Sequence, residues 1–150
     1  FFGGMAADRL SPRDQRWYMW LPAIVGFIAV PFMFAVYLVD NAYLALTMML
    51  IPGLLHQVYL GNTLATTHNL VGLKMRATAS AILFFIINMI GLGMGPFLVG
   101  LISDMLSATH GADSLRLAML YLLPAVMLWS ACHFYFASRH LREDLAAAPD

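Results

Sequence analysis

Residues 77–103 read ATASAILFFIINMIGLGMGPFLVGLIS and contain no charged side chain. About 20 mainly apolar residues are enough for a helix to cross the hydrocarbon of a bilayer. Three further stretches, residues 17–39, 41–73 and 117–138, are also free of charge, and each has at least 22 residues. The 150-residue chain is 61% hydrophobic and 11% charged, whereas soluble domains are about 25% charged. We therefore predict an all-α integral membrane protein with four transmembrane helices.

The charged clusters divide the chain into three regions. Residues 1–16 are expected to form the end of an earlier helix and a polar loop, and residues 138–150 a tail. The region between them, 17–137, holds the four predicted spans, at about 17–39, 42–66, 77–102 and 115–137. Because the chain begins with Phe and has no basic segment leading into an apolar one, we expect a fragment of a longer protein and not a signal peptide.

The loop charges predict the orientation of these spans. Lys and Arg in short loops mark the cytoplasmic side of a membrane. With alternating spans, Arg116 lies on one side and the other seven basic residues lie on the side of both chain ends. Both ends are therefore expected in the cytoplasm, with the lipid bilayer as a partner and the inner membrane of a bacterium as the location.

The second span carries a polar stripe. At 100° per residue, an arc of about 100° contains most of its polar side chains, with Asn62 just outside: His56, Tyr59, Thr63, Thr66 and Thr67. Such a stripe is expected to face away from lipid. It lines a cavity in which His56, Tyr59, Asn62 and Thr63 bind a small-molecule substrate, or it forms hydrogen bonds between helices, worth about 0.6 kcal/mol each. Gln57 lies off the stripe.

The third span has a face of small residues. Gly91 and Gly95 have the small-xxx-small spacing that lets two helix backbones approach closely. The contact is either a gating surface between two halves of a bundle or static packing. Asn88 lies on the same face, where it could contact substrate or bond to a neighbouring helix.

Several function classes find little support in the composition. The net charge is zero and no basic tract is present, so no nucleic-acid partner is expected. Cys132 is the single cysteine, and we expect no metal, cofactor or catalytic residue. A four-helix multidrug transporter would need a membrane-embedded Glu, but Glu143 lies in the tail. A membrane enzyme and a structural or assembly subunit remain as alternatives; the nearest acid and histidine cluster for an enzyme is Asp104, His110 and Asp113.

Three stretches resemble the major facilitator superfamily, and one of them is Ser114-Leu115-Arg116, which opens the fourth span ahead of a basic tail. Residues 4–13, GMAADRLSPR, resemble its loop signature Gly-x-Leu-Ala-Asp-Arg-x-Gly-Arg-Arg, with Ala6, Ser11 and Pro12 departing from it. Residues 76–80, RATAS, and 91–104, GLGMGPFLVGLISD, are similar to the eleventh helix of that superfamily, particularly in its spinster-like and organic-anion branches.

The resemblance implies the C-terminal part of a twelve-helix fold, with the four spans as helices nine to twelve. It implies a secondary active transporter that moves a small organic solute, for example an organic anion or a lipid-like molecule, by alternating access. The second span would line the central cavity. Asp8, Arg9 and Arg76 would hold the cytoplasmic helix ends during gating, and the missing N-terminal helices would be partners.

Overall fold

A computed structural model describes residues 2–149, without the side chains of residues 2–4 and 8. No strand occurs in this range, and almost every residue lies in a helix. The α-helices are α1 Phe2–Leu10, α2 Trp17–Leu38, α3 Ala42–His56, α4 Val58–Leu70, α5 Arg76–Ile86, α6 Gly95–His110 and α7 Ser114–Ala146. A π-helical segment, Ile87–Met94, joins α5 to α6, and short 3-10 turns, Leu73–Met75 and Gly111–Asp113, precede α5 and α7.

Three stretches are long and apolar enough to cross a membrane: Trp17–Leu38, Ala42–Leu70 and Leu73–Ala146. This confirms the prediction of a helical membrane protein. The third stretch reverses direction at Gly111, whose φ of +52° suits a residue without Cβ. After the turn α7 packs along α6, and the hydroxyl oxygens of Ser103 and Ser114 lie 3.2 Å apart.

After the short helix α1, the described chain forms four helical rods. They are α2, the pair α3–α4 interrupted at Gln57, the pair α5–α6 with its π-helical joint, and α7. The rods agree in order and approximate position with the predicted spans. That each of them crosses the membrane once stays a prediction.

The helices extend beyond the predicted spans. The second rod continues to Leu70, the third to His110, and α7 runs for 33 residues and takes in most of the predicted tail 138–150. At 1.5 Å per residue α7 is about 50 Å long, longer than the 30 Å of hydrocarbon. A helix can continue into water, so these lengths leave the predicted span boundaries untested.

The most extensive contact between described helices is that of α2 with α7, and the two run antiparallel, since Trp20 near the start of α2 bonds to Ser138 near the end of α7 while Asp40, after α2, pairs with Arg116 at the start of α7. Near the middle of the contact, a Cβ built on Gly26 would lie 2.9 Å from the Cβ of Ala131. Ala23 and Ala29 on α2 and Ala118 on α7 are also almost completely buried. Small residues thus allow the backbones of α2 and α7 to approach closely. The sequence analysis did not predict this contact.

An ion pair connects α2 and α7 at each end of their contact. At one end, the Asp40 end, Arg116 donates to Asp40 across 3.0 Å. At the other end, the Asp14 end, Arg142 at the end of α7 donates to Asp14 across 2.6 Å. Hydrogen bonds from Arg16, above all, and from Arg142 hold the pKa of the Asp14 carboxyl well below its usual value of 3.8, although burial opposes the shift.

An indole hydrogen bond adds to the Asp14 end. Trp20 Nε1 donates to the hydroxyl of Ser138, which is 2% exposed and in turn donates to the carbonyl of Tyr135. The guanidinium of Arg16 lies 4.5 Å from the Trp20 ring centre. Together with the buried Leu141, these contacts explain why α7 remains helical and attached after its apolar stretch ends.

Candidate functional site

Two cavities lie between α2, the second rod and α7. One, the His56 cavity, has a volume of about 390 Å³ and is lined by α2, α3, α7 and the first turn of α4. The other, the Thr66 cavity, has a volume of about 730 Å³ and lies toward the Asp14 end. Both contain Ser130 and Phe134 in their walls, so they adjoin on α7. Their sizes are in the range of small-molecule sites, about 300–1,000 Å³.

The polar stripe of the second rod is divided between these cavities. His56 and Tyr59 line the His56 cavity, with their ring centres 4.9 Å apart. Thr63, Thr66 and Thr67 line the Thr66 cavity. The division falls within α4, between Tyr59 in its first turn and Thr63 one turn later.

The walls of the His56 cavity are mostly apolar. Apart from His56 and Tyr59, its lining consists of aliphatic, small and aromatic residues and one hydroxyl: Pro22, Val25, Gly26, Ala29, Met33, Met49, Pro52, Gly53, Leu55, Leu123, Val126, Met127, Ser130, Ala131 and Phe134. Such a cavity suits an apolar body with one or two polar groups that reach the imidazole and the phenol.

The lining of the Thr66 cavity includes more polar residues, although the accessible surface of both cavities is mostly apolar. Its residues on α7 include His133, His140 and Asp144, and α2 contributes Met19. The remaining lining residues are Thr63, Thr66, Thr67, Leu70, Trp129, Ser130, Phe134, Ala137 and Leu141. This wall contains one carboxylate and no lysine or arginine.

Hydrogen bonds determine what these side chains can offer. The hydroxyls of Thr63 and Thr67 donate to the carbonyls of Tyr59 and Thr63, each across 2.8 Å, so their oxygens can only accept. The Nδ1 atom of His133 lies 2.9 Å from the Trp129 carbonyl and must donate to it. In the neutral ring, Nε2 of His133 is then an acceptor.

Two buried polar side chains on α4 have no hydrogen-bond partner in the described part of the chain. Both amide atoms of Asn62, which is 1% exposed, are unpaired, and so is the hydroxyl of Thr66, which is 7% exposed. Most buried polar groups in proteins are paired, so each exception needs an explanation. Thr66 belongs to the lining of a cavity whereas Asn62 lines neither of them, and the unpaired side-chain atoms of both residues have almost no accessible surface.

The predicted residues of the third rod lie away from both cavities. Asn88 is exposed and donates to the carbonyl of Phe84 across 2.7 Å. A Cβ at Gly91 or Gly95 would meet no described atom within 4 Å. The π-helical segment contains Asn88 and Gly91, and such segments are frequent at functional sites. The roles predicted for these residues stay predictions.

The predicted gating residues lie near helix ends. Arg9 is exposed on α1, and the side chain of Asp8 lies outside the described residues. Arg76 donates from Nε to the carbonyl of His68 near the end of α4, and its own carbonyl accepts a bond from Ser80. Arg76 therefore joins the end of the second rod to the start of the third, whereas its part in gating is untested.

Sequence reasoning missed the contribution of α7 to the Thr66 cavity. Residues 133, 137, 140, 141 and 144 all line it. Their spacing follows one helical face, and this periodicity was the available signal. Among the described residues, no cluster of three or more His, Cys, Asp or Glu could hold a metal ion.

Comparison with known proteins gives one informative relationship. No protein-family model matches the chain. The chain is 33% identical over 142 residues, 95% of its length, to an MFS-type efflux pump of Mycolicibacterium smegmatis. It covers 33% of that protein, and so spans about a third of the length of the curated relative it matches. Over almost its whole length, this membrane protein is thus similar to part of a transporter.

Proposed function

We propose that this chain is part of a secondary active transporter of the major facilitator superfamily, which moves a small organic solute across a membrane by alternating access. The observation that carries the proposal is the 33% identity to an efflux pump over 95% of the chain. The two cavities between the rods agree with a solute-binding role. We place the protein among transporters and not among enzymes.

We further propose that each rod crosses the membrane once and that both ends are cytoplasmic. The reversal at Gly111 and the antiparallel contact of α2 with α7 support alternating crossings. The distribution of Lys and Arg supports the orientation. The Asp14 end would then be cytoplasmic, and the inner membrane of a bacterium is the proposed location.

The four rods would correspond to helices nine to twelve of the superfamily, with the spinster-like branch as the proposed subgroup. The third rod would then face the other half of the transporter through Asn88, Gly91 and Gly95. Its α5, π-helical and α6 segments contain no buried residue, which agrees with a partner on that side. Asp8, Arg9 and Arg76 would hold the cytoplasmic helix ends while the halves move.

We propose that the substrate contacts His56 and Tyr59 in the His56 cavity and Thr63 in the Thr66 cavity. Asn88 would contribute from the third rod. Asn62 would contribute once a helix movement exposes its unpaired amide, which is buried one turn from Thr66.

A transport assay in membrane vesicles tests the proposal. The complete protein that contains this chain is expressed in bacteria, and inverted vesicles are given labelled cationic, neutral and anionic solutes. We expect saturable accumulation of at least one solute, which stops when a protonophore or an ionophore collapses the ion gradients. Accumulation equal to that of vector-only vesicles for every solute would contradict the proposal.

Two matched variants test the site. Thr63 lines the Thr66 cavity, whereas Gln57 is exposed and lines neither cavity. At equal expression, Thr63→Leu should lower the initial transport rate about tenfold, the equivalent of about 1.4 kcal/mol, and Gln57→Leu should leave it nearly unchanged. Equal effects would refute the assignment of the stripe.

A further inference from the structure

We propose that the end of α7 carries a binding site for an anionic phospholipid, in which the guanidinium of Arg139 holds the phosphate beside the rings of Tyr135 and Phe136. The inference goes beyond the proposed function, because it concerns an exposed face of α7 and neither of the two cavities. It requires that the chain lies in a membrane, and it does not depend on which solute the protein moves.

The position of Arg139 along α7 is that of a boundary between membrane and water. It is the first charged residue after the charge-free stretch 117–138. The adjacent Ser138 accepts a hydrogen bond from Trp20 Nε1 across 2.9 Å, and Trp20 lies edge to face with Trp17 at the start of α2. Tryptophan is enriched at the level of lipid headgroups. The end of one apolar stretch and the start of another thus agree in placing Arg139 at headgroup depth.

The guanidinium of Arg139 has no ion-pair partner in the described part of the chain. Glu143, one turn further along α7, does not pair with it, and Asp144 lines the Thr66 cavity on another side of the helix. The guanidinium instead lies 5.3 Å from the ring centre of Tyr135 and 5.2 Å from that of Phe136. Both rings precede Arg139 in the chain, so its side chain turns back toward the apolar stretch.

This arrangement suits a phosphodiester group. A guanidinium has five N–H donors and no acceptor, and it can hold a phosphate through two parallel hydrogen bonds. The attraction between the cation and the two rings holds the side chain in place. A side chain that is already ordered loses less entropy when it binds a ligand. Because Arg139 is exposed, a headgroup can reach it without any movement of the helices.

A second guanidinium adds positive charge beside Arg139. Arg142 lies three residues further on and therefore on a neighbouring part of the helix surface. It shares the carboxylate of Asp14 with Arg16, across 2.6 Å and 3.0 Å respectively. With Glu143 included, three guanidiniums face two carboxylates, so the excess charge is positive. An anionic headgroup is thus favoured over a zwitterionic one, whose ammonium group would be repelled.

Exposed apolar side chains continue from this site along α7. Tyr121, Leu128 and Tyr135 are seven residues apart, so they lie on one face of the helix. All three are exposed, and none of them lines a cavity. Such a face suits the acyl chains of a lipid whose phosphate contacts Arg139, whereas a free phosphate ion would gain nothing from it. The occupant that we propose is therefore a membrane lipid.

Native mass spectrometry of the complete protein that contains this chain tests the inference. The protein is extracted in a neutral detergent, and phosphatidylglycerol or phosphatidylcholine with identical acyl chains is added. The populations of free and lipid-bound protein give an apparent Kd for the tightest site. We expect phosphatidylglycerol to bind about tenfold more tightly than phosphatidylcholine.

Variants locate the site on α7. Arg139→Gln removes the charge and should weaken phosphatidylglycerol binding about tenfold. Arg139→Lys keeps the charge but loses the paired N–H geometry, and should weaken binding about threefold. Phe136→Leu removes one ring and should have an effect of about twofold to threefold. Lys74→Gln is the matched control, because Lys74 is exposed in the turn before α5 and makes the same change of charge. It should leave Kd unchanged.

Three results would overturn the inference: equal Kd values for the two lipids, an Arg139→Gln variant that binds phosphatidylglycerol like the parent protein, or equal losses from Arg139→Gln and Lys74→Gln. The second result would mean that another part of the complete protein covers this face. If Arg139→Gln does not fold, the same decision rests on Arg139→Lys and Phe136→Leu against Lys74→Gln. Absence of transport in the vesicle assay would refute the proposed function and leave this inference intact.

Discussion

Adding one methyl group at Gly26 should destabilise the protein by pushing α2 away from α7. A Cβ at this position would lie 2.9 Å from Ala131 Cβ and 3.5 Å from Ala131 Cα. The Ala131 methyl has no rotamer through which to move aside, so the helices themselves must separate. Overpacking of this kind costs about 1–3 kcal/mol, offset by about 0.5–1 kcal/mol because Ala is preferred over Gly within a helix.

A double-mutant cycle separates these two effects. We expect Gly26→Ala to lower the free energy of unfolding by about 1–2 kcal/mol and Ala131→Gly to lower it by about 1 kcal/mol through helix propensity. In the double variant the propensity changes cancel, and the nearest atom to the new methyl is the Cα at 3.5 Å. The double variant should therefore be about as stable as the parent, with a favourable coupling of about 2–3 kcal/mol.

The assay is reversible unfolding in mixed micelles titrated with sodium dodecyl sulfate and followed by tryptophan fluorescence. Gly100→Ala is the matched control, because Gly100 is helical and a Cβ there meets nothing within 4 Å. It should raise stability by about 0.5–1 kcal/mol. The close-approach reasoning is refuted if Gly26→Ala matches Gly100→Ala, or if the two changes at Gly26 and Ala131 add without coupling.

Two further predictions concern the Asp14 end. Ser138→Ala leaves the Trp20 indole without its acceptor and should lower the free energy of unfolding by about 1–2 kcal/mol, measured in the same titration. Arg142→Ala removes the contact between α7 and Asp14 and should accelerate hydrogen exchange at residues 139–146, while α2 remains protected. Because the pKa of Asp14 is lower in the folded protein than its usual 3.8, the contact is fully present above pH 3.8 and is lost as the pH falls toward the folded value. Protection of 139–146 should therefore be constant between about pH 5 and 8 and decline only below 3.8; a decline near pH 6 would contradict this assignment.

Much of the fold follows from the spacing of charges. The four charge-free stretches are each long enough for a membrane helix, and the structure places a rod on each of them. The turn at Gly111 lies within the charged cluster 104–116 that separates the last two stretches. Charges are costly in hydrocarbon, so their positions along the chain limit which segments can lie inside the membrane.

The candidate site was only partly predictable. The helical period brought His56, Tyr59 and the threonines to one face of the second span, but it did not indicate that His56 and Tyr59 line one cavity and the threonines another. Nor did it indicate that Asn62 is buried whereas Asn88 is exposed. Periodicity describes directions around one ideal helix, whereas burial depends on which neighbour lies in each direction.

The sequence by itself determined that this is a helical membrane protein, because the distribution of charge and apolar length is a property of the chain alone. Only the tertiary structure decided which small residues bring backbones together. The glycine spacing drew attention to Gly91 and Gly95, yet the described close approach is between Gly26 and Ala131, far apart in sequence. The same holds for the Thr66 cavity, whose walls come from α2, α4 and α7. Contacts between distant segments depend on how the helices pack against one another, and a local sequence pattern does not predict this packing.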